Sequence, residues 1–158
     1  MLNDKDLAAH LDGLLQRLST ITHKQKNQFA EELGISRQQF DVLCIVYEKG
    51  MITMGELCRE ISSACSTATD LADKLEKAGY VERVREKRDR RVVRLNILPE
   101  GEKLVKSAYE KRVELLSGLL EEFPNEGNAQ LEAISFIEAL VDKLARVQES
   151  IDGCSIRT

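Results

Sequence analysis

With 158 residues, 42% hydrophobic and 32% charged, the chain has the length and balance of one globular core and not those of a disordered polymer. Aromatic residues make up 4% and Trp is absent, so the core must come from Leu, Ile, Val and Ala, and no run approaches the ~20 apolar residues of a membrane span. The net charge of −4 alone speaks against a nucleic-acid partner, yet residues 83–94 (RVREKRDRRVVR) hold seven Arg/Lys against two acids, a local +5 that leaves −9 elsewhere.

Leu7, Leu11, Leu14, Leu15, Leu18, Ile21 and Phe29 recur at steps of three and four, predicting a long amphipathic helix over residues 4–30 that stops at Gly34. Ser36 with Gln39 reads as a capping box, and Ile35 with Phe40 as a hydrophobic staple, so a second helix starts there. It is expected to carry Phe40, Leu43, Cys44 and Tyr47 inward and to end at Gly50. Met51-Ile52 is a short extended piece. Thr53 and Glu56 form another capping box, opening a short helix with Leu57 and Ile61 inside. After the polar turn 62–64, a helix of about 65–78 places Ala68, Leu71, Ala72 and Leu75 on its inner face and stops at Gly79. Two short helices joined in this way have the form of a helix-turn-helix.

Residues 80–85 and 92–98 alternate as strands, with Val81, Val84, Val93, Leu95 and Ile97 supplying the apolar positions. The charged stretch 86–91 between them has the length of a hairpin loop. Two strands and a loop behind a helix-turn-helix make a wing, and a compact basic patch there can engage a polyanion through one edge of an acidic body. Pro99 suits the first turn of the next helix, which Leu104, Val105, Ala108, Leu115, Leu116, Leu119 and Leu120 continue to about Phe123. The last helix, about 128–151, shows Ile137, Leu140, Leu144, Val147 and Ile151 in a heptad-like seam. These terminal stripes can be covered by a second subunit or by an intramolecular bundle.

The polar amino terminus lacks the apolar run of a signal peptide. The four cysteines (Cys44, Cys58, Cys65, Cys154) form no CxxC pair and read as reduced thiols, so a cytoplasmic location is expected. Cys44 reads as core, Cys58 as a partly buried helix residue and Cys154 as a tail thiol. No phosphate-cradling loop, HExxH motif or nucleophile with a nearby base is present, so no catalytic residue is expected. His10 and His23 lie roughly 20 Å apart on one helix, too far to share a metal. Neither metal nor cofactor is expected.

From Leu57 to Gly101 the chain resembles the MarR family of bacterial transcription regulators. The resemblance rests on Ser66-Thr-Ala-Thr69, Leu71-Ala-Asp-Lys-Leu-Glu76, Gly79, Asp89-Arg90-Arg91, Leu95 and Pro99-Glu-Gly101. It implies a mainly α fold with a small β-hairpin wing. In that reading residues 35–98 are a winged helix-turn-helix DNA-binding domain, and 1–34 with 99–158 are a helical dimerisation region. It further implies a homodimer bound to double-stranded DNA, with a small-ligand pocket near the junction of the two regions.

Carried over residue by residue, Ser66, Thr67, Thr69 and Lys74 face DNA. Arg91 enters the minor groove with Asp89 orienting it, and Lys87, Arg88 and Arg90 contact phosphates. Departures are Ala64-Cys65 in place of the family's frequent Ser-Pro, which passes helix capping to Ser63, and Asp70 on or near the DNA face. Asp70 can accept from a cytosine amino group, brace Lys74 or discourage wrong sequences. A further departure is Leu98, where the family's Thr would cap a helix. The expected function is a repressor on an inverted-repeat operator. Its signal is open between a small lipophilic or phenolic effector and oxidation, with Cys65 as the candidate redox sensor. The rival reading is a winged-helix protein-interaction module without specific DNA binding.

Overall fold

The computed structural model describes residues 3–61, 65–86, 89, 91–122 and 128–155, of which 148–155 by their backbone alone. Among the described residues nine elements follow in chain order: α1 (Asp4–Glu32), α2 (Arg37–Lys49), β1 (Ile52–Thr53), α3 (Met54–Glu60), α4 (Cys65–Lys77), β2 (Val81–Arg85), β3 (Val93–Ile97), α5 (Pro99–Glu121) and α6 (Ala129–Ser155).

Both capping boxes form. The Gln39 side-chain oxygen accepts from the Ser36 N–H at 2.8 Å while Ser36 Oγ accepts from the Gln39 N–H at 3.2 Å. At α3, Glu56 Oε2 accepts from both the N–H and the hydroxyl of Thr53 at 2.7 Å, and Thr53 Oγ1 accepts from the Glu56 N–H at 3.2 Å. These bonds to the ionised form hold the Glu56 carboxyl below its ordinary value of 4.5, with Arg94 and Arg59 adding smaller attractions. The three predicted stops, Gly34, Gly50 and Gly79, all sit at φ near +70° (69°, 71° and 75°), a backbone conformation that residues with a side chain rarely adopt.

The expected two-stranded wing is part of a three-stranded antiparallel sheet of order β1-β3-β2. Ile52 pairs with Leu95, and Val81 with Ile97. Leu43, Leu57, Leu75, Leu95, Val42, Val46 and Val81 are its fully buried centre, so α2, α3, α4 and the sheet share one core. All four inner residues expected of α4 are buried. On α2 the expectation needs correcting: Val42 and Val46 join Phe40 and Leu43 in the core, Cys44 is half-buried, and Tyr47 is exposed. Residues 42, 43 and 46 form one stripe at helical spacing, and it is this stripe that faces the core; Tyr47, one step past Val46, falls outside it.

A satellite cluster of Ala30, Phe40 and Ala108 joins the ends of α1 and α2 to the first half of α5, with Ile35 packed beside it. Gly101 explains the Pro-Glu-Gly start of α5. A Cβ there would collide with the Tyr80 carbonyl oxygen, which also accepts from the Leu98 N–H at 2.9 Å.

The chain divides into two compact units, Met1–Glu110 and Lys111–Thr158. The second holds the end of α5 and all of α6, and in it Gln130 Nε2 donates to the Leu120 carbonyl at 3.0 Å. Its aliphatic residues Leu115, Leu119, Leu131, Ile137, Leu144 and Val147 are exposed, as are Leu7, Leu14, Leu18 and Ile21 of α1. No helix among the described residues is long and apolar enough to cross a membrane.

Candidate nucleic-acid interface

Burial of Ala68, Leu71, Ala72 and Leu75 fixes the rotation of α4 and so decides what its other face presents. Ser66, Thr69, Asp70 and Lys74 are exposed, and Thr67 sits half-buried at the edge. Positions 66, 70 and 74 follow one another on successive turns, spanning about 12 Å of the helix axis. The face therefore mixes hydroxyls, one carboxylate and one ammonium, groups suited to base edges and phosphates. The Thr69 hydroxyl donates to the Cys65 carbonyl at 2.9 Å, which leaves its lone pairs and methyl group for a ligand.

The basic stretch is less free than its composition suggests. Arg83 Nη1 donates to Asp73 Oδ1 and, at 2.9 Å, to Glu76 Oε2, while Nη2 reaches the Thr69 carbonyl at 3.4 Å. The Arg83 N–H also donates to Glu76 Oε1 at 3.0 Å. Arg83 thus ties β2 to α4. Arg94 is similarly engaged, its Nη2 lying 3.3 Å from Glu86 Oε2. Sequence reasoning missed both. The available signal was the pair Asp73 and Glu76, three apart and therefore on one side of a helix, with basic residues in the following strand.

At the wing tip, Asp89 Oδ1 accepts from the Arg91 N–H at 3.0 Å. The Asp89 carbonyl accepts from the Val92 N–H at 2.9 Å, and the Val92 carbonyl from the Glu86 N–H at 3.0 Å. The carboxylate therefore closes an Asx turn on the backbone; it accepts from the Arg91 main chain, and Arg91 is exposed beyond it. Lys87, Arg88 and Arg90, and the capping role of Ser63, lie outside the described residues.

Cys65 is the first residue of α4 and is exposed; Cys58, on α3, is half-buried, as is Cys44. Interaction with the Cys65 thiol, and then burial, push the Cys58 thiol above its ordinary value. A cleft of about 360 Å³ opens between α1, α2 and the helix-turn-helix. Cys44, Ile45, Ile61 and Leu71 give it an apolar wall, and Lys26, Asp41, Glu48 and Glu60 a charged one. Lys26 and Arg37 both pair with Asp41, at 3.5 and 3.3 Å.

Comparison with known proteins agrees with this architecture. The model of the MarR family matches residues 35–93, from the end of α1 into β3. The helix-turn-helix-type transcriptional regulator YsmB of Bacillus subtilis is 38% identical over 118 residues, spanning 75% of this chain and 81% of that one. The solved structure of a MarR family protein from Bacillus stearothermophilus superposes with a TM-score of 0.76 at 32% identity, covering 94% of this chain and 99% of the other. A similar fold, with a TM-score of 0.64 at 21% identity over 85% of this chain and 97% of that one, occurs in S. aureus MepR bound to an oligodeoxyribonucleotide.

Proposed function

The chain belongs to the MarR family of DNA-binding transcriptional regulators, and from that premise we propose that it is a cytoplasmic repressor acting as a homodimer on an inverted-repeat operator. The observation that carries this reading is the outward face of α4 (Ser66, Thr69, Asp70, Lys74) beside a wing whose tip presents Arg91. In the reading, α4 lies in the major groove and Arg91 enters the flanking minor groove. A guanidinium suits that groove because narrow A·T tracts concentrate negative potential there and because it is weakly hydrated. Lys87, Arg88 and Arg90 add phosphate contacts, which position without reading sequence. Asp70 sharpens selectivity by rejecting sites that offer it only acceptors.

The terminal helices supply the dimer. Their exposed aliphatic stripes exceed what a free surface normally carries, and a two-fold pairing of them sets half-site centres about one helical turn, ~10 base pairs, apart. Release is assigned to a small lipophilic effector in the cleft over Leu71. Because Leu71 belongs to α4, a ligand pressing on it biases the seat of the reading helix. The carboxylates of the cleft favour a neutral phenol, which can donate to them, over a phenolate or aromatic acid.

The test is a mobility-shift titration on DNA upstream of the protein's own gene, with unrelated competitor DNA in excess. A retarded band that survives competitor and maps to an inverted repeat is expected. Equal affinity for every fragment, abolished by moderate salt, would favour a protein-interaction module with incidental charge attraction.

A further inference from the structure

We infer that Arg83 is a positioning residue for DNA recognition: by clasping Asp73 and Glu76 it fixes the wing against the reading helix, so that Arg91 and the outward face of α4 meet DNA in one register. The inference deepens the regulator reading above and rests on it for its effect on DNA.

By composition Arg83 is one more positive charge in a basic stretch, and the fold gives it other partners. Val81 and Arg83 are two residues apart on one strand and so share a face of it. Val81 is buried in the core with Leu71 and Leu75 of α4, which brings Arg83 up to the same helix. There its side chain keeps only 25% of its surface exposed, and its guanidinium fork is occupied within the molecule. Nη1 donates to Asp73 Oδ1 and Glu76 Oε2, and Nη2 to the Thr69 carbonyl. Residues 69, 73 and 76 follow at steps of four and three, so they form one stripe. It runs beside the outward stripe of Ser66, Asp70 and Lys74, and Arg83 holds it along about two helical turns.

The main chain is held as well. β2 is an outer strand of the sheet, with β3 as its neighbour, and its Arg83 N–H donates to Glu76 Oε1 at 3.0 Å. Glu76 therefore takes the backbone and the guanidinium of one residue together, a more restrictive arrangement than a single surface ion pair. From Arg83 the hairpin continues through the pairs Val84 with Arg94 and Arg85 with Val93. Beyond them the Glu86 N–H donates to the Val92 carbonyl, and Asp89 accepts from the Arg91 N–H. An orientation set at Arg83 is passed by this ladder to Arg91.

A helix in the major groove and a guanidinium in the flanking minor groove can be satisfied together at one angle between helix and wing. Fixing that angle beforehand removes freedom that binding would otherwise have to remove. The clasp also restrains two carboxylates that, if free beside the reading face, would repel phosphates.

The experiment compares the full-length wild type with Arg83→Gln, with the paired variant Asp73→Asn and Glu76→Gln, and with Arg85→Gln. Fluorescence anisotropy is read on the upstream fragment and on a scrambled duplex across a salt series. Arg83→Gln should weaken operator binding about tenfold, comparable with losing one specific contact. Affinity for the scrambled duplex should stay within about twofold and the salt slope should not change, because no phosphate contact is lost. In that background Arg91→Ala should weaken binding by about threefold at most, since the wing is already out of place and the two losses overlap. The paired variant gives the sharp sign: it removes two negative charges beside DNA, yet it too should weaken operator binding. It also carries the test if Arg83→Gln does not fold. Hydrogen exchange of the DNA-free protein should quicken over residues 81–86 in both, with α2 unchanged. Arg85→Gln removes the same charge from the same strand and should lower affinity for both duplexes alike. A salt slope in Arg83→Gln reduced by about one unit per subunit would make Arg83 an ordinary phosphate contact and overturn the inference. Additive losses with Arg91→Ala, tighter binding by the paired variant, or the same pattern from Arg85→Gln would overturn it too. So would a lower urea midpoint with operator preference intact, the mark of a merely structural tie. A wild type that binds no upstream fragment would sink the regulator reading and this inference with it. The exchange data need no DNA and tell that outcome apart from a clasp that does not hold the wing.

Discussion

Helices α4 and α6 are both amphipathic, and within one chain they dispose of their apolar faces in opposite ways. No inner residue of α4 is more than 6% exposed, whereas Leu131, Ile137, Leu144 and Val147 of α6 keep between 51% and 64%. Fully burying one such side chain stabilises by about 1.5–3 kcal/mol, so the winged region collects in a single copy what α6 does not. The long α1 shares the condition of α6 along Leu7, Leu14, Leu18 and Ile21. The contrast sets a winged region whose apolar faces are covered within one copy beside helices whose apolar stripes stay exposed.

Deleting residues 128–158 should break that contrast most severely. Light scattering should then report a monomer, and operator affinity should drop to that of an isolated half-site, while circular dichroism still shows a folded winged region. A truncated protein that remains dimeric would mean that the two regions do not divide the labour in this way. Arg91→Ala acts on the other side of the comparison. It should weaken operator binding by ~1–3 kcal/mol and relax the preference for A·T pairs at the outer flanks, with the oligomeric state untouched.

A smaller loss is expected for Asp89→Ala, because the Arg91 N–H loses its acceptor and the tip regains freedom before binding. The sign is the informative part, since the substitution makes the wing more positive. Fluorescence anisotropy at moderate salt showing equal or tighter binding would reduce Asp89 to loop decoration. The smallest effect belongs to Glu56→Gln at the start of α3. The Glu56 carboxyl is depressed on folding, so its contribution is fully present above its ordinary value of 4.5 and disappears as pH falls through the lower folded value. The variant should flatten the acid side of the urea-midpoint profile and leave the neutral region nearly unchanged.

Short-range chemistry was the readable part of this sequence. Ser36 with Gln39 and Thr53 with Glu56 could be identified because each box closes within one helical turn. The four inner residues of α4 could be named because helical spacing alone sorts them. The exposure of Tyr47, by contrast, depends on which stripe of α2 the sheet and α4 cover, and Val42, Val46 and Tyr47 are all apolar enough to qualify. Likewise Arg83 and Arg94 look like wing charges until strand pairing brings Arg83 to Asp73 and Glu76, and Arg94 to Glu86. For the DNA face, the exposed residues of α4 follow from the buried ones, whereas the target of the Asp89 carboxylate, a main-chain N–H, depends on a turn geometry that the letters alone leave open.

The pairing of Ile52 with Leu95 also constrains how the molecule assembles. The 42 residues between these partners contain α3, α4 and β2, and closing a loop of that length opposes folding by about 3 kcal/mol of chain entropy. The β2–β3 hairpin and the two short helices need no such closure, so the expected route forms them first and zips β1 onto β3 late. In the finished protein, the recognition helix lies inside a ring of chain fastened at Ile52 and Leu95. Opening that fastening exposes the core beneath α4 and the middle of the sheet at once, so the helix is lost together with the wing and does not fray alone.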